Sequence, residues 1–207
     1  MIKFSNHRHS MISVGLGTAL TFTAPLVMAE AATYVVDDEH FSMTFEVQHI
    51  GYAPVMGMFR DVEGTFKYDE QNNTLTSGSL TFDSGSVFTN HEKRDDHLRN
   101  ADFLNSSKHP DITFTVTDFE TTGENSGIVT GDLTLLGQTR PVDVEITLNK
   151  SAKYPIGHED YTLGMTAETS IKRSEWGMTY GVSNDLVGDE VKLRFGLEAV
   201  RESGWFD

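Results

Sequence analysis

The chain has no cysteine and only five prolines, and its sixteen Lys and Arg are outnumbered by thirty-one Asp and Glu among 207 residues, for a net charge of −15. Without cysteine there is no disulfide, no thiolate metal site, no sulfur nucleophile and no lipid anchor attached through a thiol. So small a basic complement argues against nucleic acid, whose phosphates are bound by basic stripes that displace counterions. Motifs of cofactor chemistry are missing too: there is no P-loop, no dinucleotide fingerprint after a strand and no G-x-S-x-G elbow. Scattered Ser, His and Asp leave a hydrolase open without any motif behind it. His91 and His97 with Asp95 or Asp96 lack the spacing of a zinc site. The stretch 69–80 begins like a calcium loop but has Thr74 where Gly is needed and Leu80 where Glu is needed. No metal and no cofactor is therefore expected.

What is present is ordinary globular material, 38% hydrophobic and 23% charged. Its first segment reads as an address. Lys3 and Arg8 precede an uncharged run from Met11 to Met28, and Val27-Met28-Ala29 offers a small-residue cleavage site before Glu30. Ala31 and Ala32 provide an alternative cut. An uncleaved anchor needs about 20 strongly apolar residues, and this run is diluted by Ser13, Gly15, Gly17, Thr18, Thr21, Thr23 and Pro25. Residues 1–29 are expected to be a cleaved secretory signal and 30–207 a single domain. Loss of Lys3 and Arg8 takes the net charge from −15 to −17.

The remainder alternates with period two, the signature of strands with one apolar face. Phe41, Met43, Phe45 and Val47 share a face; so do Ile112, Phe114 and Val116. Val142, Val144, Ile146 and Leu148 repeat the pattern, as do Tyr161, Leu163, Met165 and Ala167, and then Val191, Leu193, Phe195, Leu197 and Ala199. Weaker strands are expected over 34–37, 56–68, 77–83 and 127–136, with turns rich in Gly, Asn and Asp between them. One helix is expected over 90–103, with Asn90 as its cap. Eight or nine strands with almost no helix to cover them must cover themselves, as a barrel or a sandwich. Strands of eleven or more residues favour a tall barrel, either packed solid or able to hold a guest. A lipid-embedded barrel is disfavoured because the last strand loses phase at Arg201 and Glu202 and the chain ends in Asp207.

Four stretches carry a family resemblance: Arg94-Asp95-Asp96-His97-Leu98-Arg99-Asn100-Ala101-Asp102-Phe103 with Pro110-Asp111-Ile112-Thr113-Phe114; Gly131 through Val142; Ile171-Lys172-Arg173-Ser174-Glu175-Trp176-Gly177-Met178; and Val36-Asp37 through Phe45, Val47, Gln48 and His49. In order and over essentially the whole mature chain they resemble the YceI family of bacterial proteins. The resemblance implies export to the periplasm, an extended antiparallel lipocalin-like barrel, and an isoprenoid or other long-chain amphiphile bound inside without catalysis. Leu104 stands where the family usually has a second aromatic, and Trp176 where it often has Phe.

Eight apolar side chains are candidate wall for such a guest: Phe45, Val47, Phe114, Val116, Ile146, Met165, Phe195 and Leu197. Simple core packing is the alternative for each of them. Arg60, in phase with Met58 and Val62 on the supposed inward face, His97, and Arg173 are candidates to meet a polar head group, and Trp176 next to Arg173 is a further ligand-binding candidate. For Arg94–Asp95 and Asp96–Arg99 the competing reading is local ion pairing that pins the loop to the barrel rim, and for His97 a structural histidine that ties the segment down. A periplasmic binding or carrier protein is thus the expectation, with a solid-core interaction or stress protein as the alternative and a homodimer left open.

Overall fold

The computed structural model describes residues 31–202, and the secretory signal expected over 1–29 lies outside them. Strands β1 (Ala32–Val36), β2 (Ser42–His49), β3 (Ala53–Phe59), β4 (Val62–Asp69), β5 (Thr74–Asp83) and β6 (Val87–Phe88) precede helix α1 (Glu92–Arg99). Strands β7 (Asp111–Gly123), β8 (Ser126–Leu135), β9 (Gln138–Lys153), β10 (Tyr161–Lys172) and β11 (Val187–Arg201) follow it. All pairings are antiparallel, and the order β1-β4-β5-β7-β8-β9-β10-β11 returns to β1, closing a barrel of eight strands. Closure removes the sheet edges that an open sheet of this length would expose. At about 3.4 Å per residue and a tilt near 40°, the fifteen-residue β11 makes a wall about 40 Å tall.

Three wall strands are interrupted midway. β2 continues β1 along β11, pairing Phe45 with Leu193 where β1 pairs Val36 with Ala199. In the same way β3 runs on into β4, and β5 into β6. Local polar side chains satisfy the amides released at each interruption. Asp37 Oδ1 accepts from the Glu39 amide, Ser86 Oγ from the amides of Arg60 and Asp61, and Asp83 Oδ1 from the Gly85 amide.

The second interruption corrects the inward phase expected for Arg60. On β4 the inward set is Val62, Phe66 and Tyr68, and running it backwards would place Arg60 and Met58 inside. The two unpaired residues Arg60 and Asp61 reset the alternation, so β3 turns Val55, Gly57 and Phe59 inward and Met58 outward. Arg60 is exposed and stacks over the Phe88 ring at 5.1 Å. The helix is also shorter than 90–103. Asn90 has φ 61, a left-handed conformation that keeps it out of the helix, and His91 Nδ1 caps the Arg94 amide instead.

The lower end of the barrel carries the β4–β5, β7–β8 and β9–β10 turns. The upper end carries the β2–β3 turn, the β8–β9 turn and two longer excursions, 84–110 with α1 and 173–186. Glycines keep the lumen open between them. A Cβ on Gly131 would lie 2.3 Å from the Phe114 ring, and one on Gly57 2.3 Å from that of Phe45. Each ring therefore takes the space that a side chain on that glycine would fill.

Candidate functional site

The inward faces do not meet. They enclose a cavity of about 480 Å³, within the range of small-molecule sites. Its wall runs from His49, Ile50 and Leu186 at the upper end to Asn73, Asn125 and Ser126 at the lower. Between them it is formed almost wholly by apolar side chains of every wall strand except β1 and β6's second residue, so one continuous channel follows the barrel axis.

Ten of the twelve side chains singled out from the sequence lie on this wall: Phe45, Val47, His97, Phe114, Val116, Ile146, Met165, Arg173, Phe195 and Leu197. The other two do not. Arg60 faces outward, as described above. Trp176, 1% exposed, is instead a peg at the upper end, its indole N–H donating to the Leu133 carbonyl at 3.1 Å and its own carbonyl accepting from Gln138 at 2.7 Å.

Polar groups reach the channel at both ends, Tyr68, Asn73, Asn125 and Ser126 at the lower and His49, Arg94, His97, Arg173 and Tyr180 at the upper, where the charged ones lie. Arg173 is 2% exposed and donates to four carbonyls, those of Met178, Tyr180, Val187 and Gly188, at 2.7–2.8 Å. Those bonds fold the 173–186 excursion around the guanidinium. They occupy four of its five N–H groups, and no carboxylate among the described residues forms an ion pair with it. Burial lowers its pKa, partly offset by the charge of Asp189. The guanidinium lies 5.8 Å from the Phe103 ring centroid, close enough for cation–π attraction.

The helical excursion is tied down locally. Asp95, buried, accepts from both the amide and the hydroxyl of Thr89, and Arg94 donates to the hydroxyl and carbonyl of the same residue. Arg94 and Asp95 are thus joined through Thr89, whereas Arg99 pairs directly with Asp96 at 2.9 Å and also reaches the Gly85 and Val87 carbonyls. His97 bonds Asp102 at 2.9 Å and sits edge-on to Phe103 and Tyr180, each 5.0 Å away. The ion pair expected for Asp96 and Arg99 forms, the one expected for Arg94 and Asp95 does not, Thr89 standing between them, and His97 and Arg94 face the channel at the same time.

Sequence periodicity missed Ile50, Tyr180 and Leu186. They lie in turns and an excursion, where no repeat marks an inward face. Outside the barrel, Asp37, His40 and Glu198 each bring one ligand-type atom within 4.8 Å of the others, with His40 bonded to Asp37 at 2.8 Å. No helix among the described residues is long and apolar enough to cross a membrane.

Comparison with known proteins returns the same architecture. Residues 34–199 match the YceI-like domain model. A UPF0312 protein of Pectobacterium atrosepticum is 38% identical over 187 residues, covering 89% of this chain and 95% of its own. The crystal structure of Burkholderia cenocepacia BcnA superposes with a TM-score of 0.71 at 24% identity, covering 80% of this chain and 99% of that one. A domain from Saccharophagus degradans, described as polyisoprenoid-binding and implicated in plant cell wall breakdown, gives 0.63 at 15% identity, covering 83% and 99%. At these identities the two structures establish the fold.

Proposed function

The chain belongs to the YceI-like family, and from that premise we propose that it is an exported, non-enzymatic carrier or scavenger. Its channel sequesters one long-chain amphiphile, an isoprenoid quinone, a polyprenyl lipid or a fatty-acid-like molecule, in the periplasm once the segment 1–29 has been cleaved. The observation that carries this reading is the continuous apolar channel of about 480 Å³. Burying each CH₂ contributes about 0.8 kcal/mol, so an isoprene unit gains roughly 4 kcal/mol before the cost of ordering it. A few units suffice for tight retention with no catalytic group. The polyisoprenoid description of the Saccharophagus neighbour supports the same ligand class.

Arg173 supports a polar head group near the upper end. Its one N–H without a carbonyl acceptor is a donor suited to a quinone or phosphate oxygen. The channel argues against the solid-core alternative. Native mass spectrometry of protein taken from its own compartment, followed by organic extraction, is the test. A carrier releases close to one lipid per chain; release of none overturns the proposal.

A further inference from the structure

Of the eight large apolar side chains exposed among the described residues, five gather around the upper end, while Ile156, 73% exposed, stands alone at the lower one. Tyr52 is 90% exposed and Met56 63%, beside Ile50, Tyr180 and Leu186. Ile50, Tyr180 and Leu186 also face the channel, so part of its apolar lining runs out over the lip, beside His49, Arg94, His97 and Arg173. The lip is tied into one surface, since the Ile50 amide donates to the Leu186 carbonyl at 3.1 Å and Tyr180 packs on His97 and Phe103.

Ile50 has a further peculiarity. It takes φ 52 at the tip of the β2–β3 turn, followed by Gly51 at φ 70, with the Tyr52 amide bonded to the His49 carbonyl. Such turns favour Asn, Asp or Gly at the first central position, and a β-branched residue is disfavoured there. The chain thus holds an exposed apolar side chain at the channel mouth in a backbone that would suit a polar one better.

Charge is distributed unequally between the two ends. The upper-end segments 49–53, 84–110, 136–140 and 172–187 carry seven Lys and Arg against six Asp and Glu. The lower-end segments 67–75, 118–126, 149–162 and 198–202 carry four against nine. A phospholipid surface that is anionic repels the lower end and tolerates the upper one. Exposed Tyr and aliphatic side chains are of the kind that settle at a bilayer interface.

We propose that the upper end docks on a phospholipid bilayer, with Ile50, Tyr52, Met56, Tyr180 and Leu186 entering the interface so that the guest passes between membrane and channel without crossing water. This inference rests on the carrier reading and adds its partner and direction of loading. Docking is peripheral and reversible.

The test uses the purified mature protein, its native guest still bound, and vesicles of phosphatidylcholine with phosphatidylglycerol in a flotation assay. The variant carries Tyr52→Asp and Met56→Asp; neither residue faces the channel. Wild type is expected to float with the vesicles, and the double variant to lose at least tenfold in bound fraction while yielding the same lipid on extraction. A Glu124→Lys control at the lower end is expected to leave the floating fraction of wild type in place. Equal flotation of wild type and double variant overturns the docking inference, as does a lipid-loaded wild type that fails to float. Conversion of a dimer to a monomer by the double substitution, read by sedimentation, also overturns it, by making the lip a contact between copies. Flotation that depends on Tyr52 and Met56 in a protein yielding no lipid leaves docking standing and refutes the carrier reading alone.

Discussion

At the scale of single residues, position in the wall separates roles that chemistry alone does not. Phe195 and Trp176 are both large aromatics, but only Phe195 faces the channel. Phe195→Asp is expected to abolish lipid retention in a protein that still shows a β-rich circular dichroism spectrum, because a carboxylate in the wall must stay solvated. Normal lipid content in that folded variant would contradict the wall assignment. Trp176→Phe should do the opposite: stability falls by about 1–2 kcal/mol as the Leu133 carbonyl loses its donor, while extraction returns the same lipid. Denaturant melts alongside extraction separate the two. Arg60 shows why residue roles were only partly legible in the sequence. Its misplacement follows from a two-residue interruption fixed by Ser86, twenty-five residues downstream, a bond that no local pattern announces.

At the scale of elements, alternation was readable wherever a strand has one face on the lumen, as in β7, β9 and β11. It failed at the interruptions and in the two upper excursions, where side-chain bonds to distant backbone decide the path. The helix shortened for a similar local reason: Asn90 is left-handed and the Leu104 and Ser106 amides fold back onto the Leu98 and Arg99 carbonyls. The turn joining β1 to β2 makes a pH prediction. A hydrogen bond to Asp37 and then the charge of that carboxylate raise the His40 pKa. Burial alone would raise Asp37, but hydrogen bonds from His40 and the Glu39 amide outweigh it and hold the carboxyl below its usual value. The His40 contribution is present below the ordinary histidine value and lost as pH rises through the raised one; the Asp37 contribution is present above the ordinary carboxylate value and lost as pH falls through the lowered one. The pair therefore stabilises the turn between about pH 4 and about pH 6.5 and fades outside that window. Thermal melts of wild type and His40→Ala should differ most near about pH 5 and converge in alkaline buffer. A gap that widens with rising pH would refute the assignment.

At the scale of the whole molecule, closure into a barrel was anticipated from long one-faced strands, and the family from its motifs. The open lumen was anticipated only through the family resemblance, because solid and hollow barrels share the same alternation. What distinguishes them is glycine: Gly57 sits opposite Phe45, and Gly131, opposite Val116, lies diagonally under the Phe114 ring, neighbours visible only once the strand register is known. The three interruptions at 37–41, 60–61 and 84–86 fall on adjacent strands, whereas β8 to β11 carry no comparable break. The cylinder is accordingly stiff on one flank and jointed on the other, like a hose slit partway round. Amide hydrogen exchange should run fastest along that jointed flank and slow when a guest fills the bore; uniform protection around the circumference would refute this. A vessel built this way changes girth by yielding on one side, which lets it grip cargoes of different thickness without unfastening its ring of strands.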